Sequence, residues 1–157
     1  MILNENSFNG SSDAIIAALE GDILSMNTIL DYNTSPITSA ERKKIEDIGY
    51  TAAVTVKQSS ARGYALKGDT STMYGVLDLT DIYGRISGQD TSEERKKIEY
   101  LGQTAAVPVK LSSAIEYALD EKTFLANTCL DLAIKYAEIT NQDISAQVAE
   151  IKALISE

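Results

Sequence analysis

The sequence predicts an all-α protein of three tandem helical repeats of about 53 residues, arranged as an α-solenoid-like stack or a compact helical bundle. Two observations lead to this prediction. Segment 41–90 matches segment 94–143 at 27 of 50 positions, with a constant offset of 53 and no gap. Within each copy, apolar residues recur at spacings of three and four, the period of a helix with a buried face. Identity of this extent indicates an internal duplication.

The match continues beyond both copies toward the chain ends. ITNQDISAQVAEIKAL at 139–154 aligns with ISGQDTSEERKKIEYL at 86–101, and ALEGD at 18–22 aligns with ALKGD at 65–69. The repeats are therefore predicted to be circularly shifted relative to the chain. We expect a single domain, 1–157, made of a partial repeat 1–38, repeats 39–91 and 92–144, and a partial repeat 145–157.

The second half of each repeat has the clearest helical pattern. Its apolar stripe places Cys129 where the other copies have Ile29 and Val76, so we interpret Cys129 as a packing residue rather than a reactive thiol. The pattern predicts one long amphipathic helix per copy. In the second complete copy, the stripe consists of Leu125, Cys129, Leu132, Tyr136 and Ile139.

Short polar turns precede these helices. Gly21-Asp22 and Gly68-Asp69 each combine a helix-ending glycine with a helix-capping aspartate, which is typical of a tight turn between antiparallel helices. Serines at equivalent places, Ser39, Ser92 and Ser145, mark the expected starts of the other helices.

The first half of each repeat is harder to assign. A helical period holds from Ile45 to Leu66, which indicates one long helix. Pro108 argues against it, because an interior proline costs about 3 kcal/mol, and Gly49 and Gly102 provide alternative helix ends. We therefore predict three helices per repeat, and the alternative is two, the first kinked at Pro108. The predicted bounds are 40–48, 51–67 and 70–86, then 93–101, 104–119 and 121–139.

Composition argues against several function classes. The chain has no histidine and one cysteine, which excludes Ser-His and Cys-His nucleophiles, most zinc sites and an internal disulfide. It also contains no phosphate-binding or dinucleotide-binding motif. We expect a protein that is not an enzyme and holds neither cofactor nor metal.

Charge and hydropathy set further expectations about partners and location. A net charge of −9 opposes direct nucleic-acid binding. No apolar stretch is long enough to cross a membrane, and no signal peptide is visible. These features predict a cytoplasmic protein and leave open non-classical secretion as an effector.

Basic residues cluster where the duplicated ERKKIE motif begins. The bland interpretation is a solvated face or ion pairs within the protein, and the sharper hypothesis is an anion-binding ridge for an acidic or phosphorylated partner. Tyr50 and Tyr100 do not repeat between copies and could add contact area for such a partner. The two clusters are Arg42, Lys43 and Lys44, and Arg95, Lys96 and Lys97.

Three aspartates follow core leucines at equivalent places of the last helix. Asp31, Asp78 and Asp131 are interpreted as the partners of cations on adjacent helices. The alternative is a row of carboxylates that faces a basic partner.

Together these features predict a non-enzymatic protein–protein interaction module, a helical-repeat scaffold or adaptor for a protein or peptide. The alternative is a small acidic inhibitor, immunity protein or effector that blocks a basic enzyme or a nucleic-acid-binding site. Five acidic and no basic residues among the first 37 motivate that alternative.

Overall fold

The computed structural model describes residues 9–33 and 36–156, which form seven α-helices and no strand. The predicted all-α class is therefore confirmed. Residues 1–8 and 34–35 of the predicted partial repeat 1–38, and residue 157 of the last one, lie outside the described residues. The helices are α1 (Asn9–Leu19), α2 (Ile23–Tyr32), α3 (Ser39–Leu66), α4 (Thr70–Ser87), α5 (Ser92–Leu119), α6 (Thr123–Thr140) and α7 (Ser145–Ser156).

Helix lengths recur at the offset of the sequence match. α3 and α5 each contain 28 residues, and their first residues, Ser39 and Ser92, are 53 positions apart. α4 and α6 each contain 18 residues and also begin 53 positions apart. Helix α7 begins at Ser145, so all three serines predicted as helix starts are helix starts.

The predicted division of the first half into two helices is wrong. α3 continues through Gly49 and α5 continues through Gly102, so the two-helix alternative is the one observed. A β-carbon at Gly49 would collide with Sδ of Met26, and one at Gly102 with Sδ of Met73. Both methionines are completely buried. These glycines therefore allow close packing inside a helix instead of ending it.

Pro108 lies inside α5 without ending the helix. A proline has no N–H, so the carbonyl oxygen of Thr104, four residues earlier, loses its helical donor. The Gln142 side chain replaces it, because Nε2 donates to the Thr104 oxygen at 3.3 Å. A second bond, from Nε2 to Thr140 Oγ1 at 2.8 Å, holds this amide in place. A residue outside the helix thus compensates for the proline.

The predicted glycine–aspartate turns are confirmed at α1–α2 and α3–α4. Gly21 and Gly68 have φ of 70° and 69°, where a β-carbon would be strained. The carboxylates of Asp22 and Asp69 accept backbone N–H bonds from Ser25 (3.0 Å) and Thr72 (3.1 Å). The pKa values of both aspartates are lowered. The largest cause is the hydrogen bond from the Ser25 or Thr72 hydroxyl, followed by the backbone bond from the same residue.

The described residues divide into two compact units. The first contains the described residues up to Ser60 together with Val76–Glu94, and the second contains Ala61–Gly75 and the described residues from Arg95 onward. Each unit has a core dominated by small and aliphatic side chains. The first core contains Ala14, Ala17, Ala18, Met26, Leu30 and Ile45, and the second contains Ala106, Val107, Leu111, Ala114, Leu130, Ala133, Tyr136, Ala137 and Ile151.

Cys129 is partly buried and packs against the core of the second unit. This placement agrees with its interpretation as a packing residue.

Glycine-to-alanine substitutions will measure how much of the loss in stability comes from backbone strain and how much from lost close packing. Gly68→Ala should cost about 2–5 kcal/mol, because left-handed φ and overlap with the backbone of α5 both act on it. Gly88→Ala has the same kind of φ, 71°, but nothing within 4 Å, so only about 1–2 kcal/mol is expected. Urea unfolding followed by circular dichroism measures both.

Gly75→Ala is the control for that comparison, since Gly75 lies inside α4 with open space around it. It should stabilise the protein by about 0.5–1 kcal/mol. If the Gly68→Ala and Gly88→Ala variants lose equal amounts of stability, the close approach of Gly68 to the α5 backbone contributes nothing to it.

A double-mutant cycle tests the compensation of Pro108. Gln142→Ala should cost about 1 kcal/mol in the natural sequence, because the Thr104 carbonyl loses its donor. In a Pro108→Ala background, the restored backbone N–H supplies that donor, and the same change should cost close to nothing. Equal costs in the two backgrounds would contradict the assignment.

Candidate functional site

The first basic cluster lies at the start of α3, behind an acidic cap. Thr38 donates to Glu41 Oε2 from its backbone N–H at 2.9 Å and from its hydroxyl at 2.8 Å. The Glu41 N–H donates back to Thr38 Oγ1 at 3.2 Å. These bonds, chiefly that from the Thr38 backbone, lower the pKa of Glu41. The N-terminal end of a helix carries a partial positive charge, so three basic residues there are unfavourable. The Glu41 carboxylate offsets part of this repulsion.

Arg42 is engaged within the first unit. Its Nη2 lies 2.6 Å from Asp31 Oδ1 and its Nε lies 2.8 Å from Glu46 Oε1. The bonds to Asp31 and then Glu46 raise the Arg42 pKa. Asp31 therefore pairs with a cation on an adjacent helix, as predicted. Arg42 forms ion pairs within the protein, which is the simpler of the two interpretations of its cluster. Lys43 and Lys44 are exposed.

The second basic cluster lies in the first turns of α5, in the second unit. Arg95 Nε lies 2.7 Å from Glu99 Oε1, the same contact that Arg42 makes with Glu46. Lys96 and Lys97 are exposed. The ridge that combines both clusters stays a prediction.

The two predicted tyrosines differ in their surroundings. Tyr50 is partly buried and packs against the first core, with its ring centroid 5.5 Å from that of Tyr83. Burial raises the pKa of the Tyr83 phenol. Tyr100 is 55% exposed. Tyr100 is therefore the member of this pair that offers an open contact surface.

An open groove in the second unit brings part of the predicted set together. Its volume is about 440 Å³, and it contains Lys97 and Tyr100 from the prediction. Ile98 is buried, whereas Arg62, Lys97 and Tyr100 are exposed. The groove therefore has apolar surface beside two cations. Its lining residues are Arg62 from α3 and Lys97, Ile98, Tyr100, Leu101 and Thr104 from α5.

Hydrogen bonds order the α5 wall of this groove. Thr104 donates its hydroxyl to the Tyr100 carbonyl at 2.7 Å, and Gln142 binds the Thr104 carbonyl. Next to it, Gln103 Nε2 donates to the Tyr74 hydroxyl at 2.7 Å. Burial is the main cause of the raised pKa of Tyr74. The groove is thus supported by residues behind it.

Sequence reasoning missed Arg62. It stands alone rather than in a cluster, and it reaches the groove from a different helix. A usable signal was present, because the equivalent positions hold Ile15 and Ile115. The criterion of non-repetition that selected Tyr100 would also have selected Arg62.

The residue types that line the groove differ from those at the equivalent positions of the first matched segment. In the first matched segment the position of Lys97 is kept as Lys44, but Tyr100 is replaced by Asp47. The combination of two cations with an open tyrosine therefore occurs in one of the two matched segments.

Among residues 9–33 and 36–156, no three potential ligands from histidine, cysteine, aspartate and glutamate cluster as a metal site. In the same residues, no helix combines the length and apolar character needed to cross a bilayer. No family model, curated protein or solved structure matches the chain.

The lowered pKa of Glu41 predicts a pH-dependent contribution to stability. A carboxylate with a lowered folded-state pKa stabilises the protein above its unfolded pKa, and the effect is lost as pH falls through the folded pKa. Glu41→Gln should therefore lower the urea midpoint at neutral pH. The difference from the natural protein should shrink below about pH 4. A difference that stays constant down to pH 3 would contradict this role.

Proposed function

We propose that this chain is a non-enzymatic protein–protein interaction module, a scaffold or adaptor that binds a protein or peptide in the groove of the second unit. The observation that carries the proposal is the groove itself, in which Arg62, Lys97 and Tyr100 surround apolar surface. Tyrosine and arginine, together with tryptophan, are enriched among the few residues that dominate the binding energy of protein interfaces.

The finer part of the proposal is an array of three circularly shifted repeats of about 53 residues. Equal helix lengths support it, and so do equivalent turn bonds. Backbone N–H groups of Gly21, Gly68 and Glu121 donate three residues back, at 2.9–3.0 Å in each case. Stacked repeats of this kind, α-solenoid-like or bundled, use a shared scaffold with variable surface positions for recognition.

Further matched details support the same array. Gly88 and Asn141, 53 positions apart, both have positive φ after their helices. The residues that follow, Gln89 and Gln142, each donate a backbone bond of 2.8 Å to the preceding helix. This likeness between equivalent helix ends supports the proposed array.

The residue types in the groove favour binding over catalysis. Arg62 and Lys97 are basic residues, and the Thr104 hydroxyl donates its proton to the Tyr100 carbonyl. This set offers no paired acid and base for proton transfer. A cytoplasmic module without cofactor is the corresponding proposal for location and cofactor use.

An affinity experiment in native-cell lysate tests the proposed function. The full chain and a Tyr100→Ala/Leu101→Ala variant are immobilised, and captured proteins are quantified by mass spectrometry. Loss of two apolar contacts should reduce the capture of a specific partner at least about tenfold. The matched control is Asp47→Ala/Ile48→Ala, which changes the equivalent positions of α3 and should leave capture intact.

Circular dichroism must show equal helicity for all three proteins. Capture that is unchanged by the groove variant, or the absence of any specific partner, would contradict the proposal. Capture that ignores the groove variant but falls steeply with added salt would instead favour the acidic-inhibitor alternative.

A further inference from the structure

Independently of the groove, we propose that the turn between α5 and α6 is a second interaction surface. It inserts Phe124 into an apolar pocket of a partner protein and pairs Glu121 with a cation beside that pocket. The turn lies at the far end of α5 from the groove lining, because Leu119 is about 22 Å along the helix from Thr104.

Two features of this turn are unfavourable for its local stability. In the α1–α2 and α3–α4 turns, a glycine takes the positive φ and an aspartate caps the next helix. In the α5–α6 turn, Glu121 takes a positive φ of 58°, and Lys122 at the N-cap makes no capping bond. A non-glycine residue at positive φ is strained, and an uncapped helix leaves an N–H group without its side-chain acceptor. The stability of the turn therefore does not explain these two residues.

The same turn exposes apolar side chains where the α3–α4 turn has polar ones. Phe124 is 80% exposed and Leu125 is 41% exposed, and the equivalent residues are Ser71 and Thr72. Leu119, which is 68% exposed, adds to this apolar surface. Contact of apolar surface with water is unfavourable, so covering these three side chains stabilises a complex. Binding therefore explains what local stability does not.

The charges of the turn select a cation in the partner. Lys122 is engaged within the turn, since its Nζ lies 3.0 Å from Asp120 Oδ2 and 5.8 Å from the Tyr117 ring centroid. Among the residues that the structure describes, the Glu121 carboxylate forms no ion pair or hydrogen bond. A partner that covers the turn removes water from this carboxylate and must supply a donor in exchange. A guanidinium or ammonium group makes the strongest bond of this kind.

The shape of the turn selects a pocket rather than a flat surface. A turn between two helices projects from their ends, and Phe124, the second residue of α6, extends into solvent from it. Aromatic side chains contribute most to binding when they fill a desolvated pocket. The partner is therefore a protein with an apolar pocket that has an arginine or a lysine at its edge.

Photo-crosslinking tests the inference. The full chain with p-benzoylphenylalanine in place of Phe124 is irradiated in native-cell lysate, and crosslinked proteins are identified by mass spectrometry. One protein should be crosslinked, and its crosslinked peptide should lie at apolar residues next to an arginine or a lysine. The same probe in place of Ser71, at the equivalent position of the α3–α4 turn, is the matched control and should not crosslink that protein.

Competition with unlabelled chain supplies the evidence that identifies the surface. The natural chain in excess should inhibit the crosslink, whereas Phe124→Ser/Leu125→Thr and Glu121→Lys should each require at least about tenfold higher concentration. The groove variant Tyr100→Ala/Leu101→Ala should compete as well as the natural chain, which separates this test from that of the proposed function. Circular dichroism must show that all variants are folded.

Several results would overturn the inference. These are the absence of any protein whose crosslinking the natural chain inhibits, and equal competition by the natural chain and either turn variant. Crosslinking to a second copy of this chain, or only to lipid, would reassign the turn to self-association or to a membrane surface. Weak competition by the groove variant would indicate one joint surface instead of two.

A second measurement does not depend on finding a partner. Glu121→Gly, Lys122→Asp, Phe124→Ser and Leu125→Thr together give this turn the residues of the α3–α4 turn. The combined variant should have a higher urea midpoint than the natural chain, because glycine relieves the strained φ and aspartate restores the cap. A lower midpoint would show that the natural residues stabilise the turn, and the inference would then fail.

Discussion

The architecture depends on close approach between backbones at small residues. A β-carbon at Gly21 would lie 2.9 Å from the Ala53 backbone of α3, and one at Gly68 would lie 2.9 Å from the Ala105 oxygen of α5. Each turn therefore rests on the middle of the next long helix, where small side chains leave room. Contacts of this kind tolerate no added atom, because protein interiors are close-packed and rigid. At Gly49 and Gly102 the atom that a β-carbon would meet is a buried methionine sulfur rather than backbone.

The third turn shows what happens where this constraint is absent. Glu121 takes the place of Gly21 and Gly68, retains a positive φ of 58° and is exposed. The turn keeps its local hydrogen bonds, so the backbone path does not require glycine, although a non-glycine residue there is strained. Packing against a neighbouring helix, rather than the turn itself, is therefore the reason for glycine in the first two turns.

Local sequence signals were sufficient for the all-α class, the starts of α3, α5 and α7, and the two glycine turns. They failed at Gly49, Gly102 and Pro108, because a glycine or proline looks the same whether it ends a helix or is compensated from outside. The groups that explain these residues are distant in the sequence: Met26 and Met73 pack against the glycines, and Gln142 supplies the donor that the proline lacks. The groove was anticipated in part. Lys97 and Tyr100, which lie on one helix, were among the predicted residues, whereas Arg62 lies on another helix and was not.

The two matched segments share some buried positions and differ at some exposed ones. Ile98 and its equivalent Ile45 are both buried and identical, as their packing requires. Two positions further along the same helix, the exposed residue is Asp47 in one copy and Tyr100 in the other. Because this change does not disturb the core, it alters the surface chemistry of one copy alone. Buried positions also differ, because the buried Met73 corresponds to the buried Ala126, but such a change requires repacking of the core whereas a change at an exposed position does not.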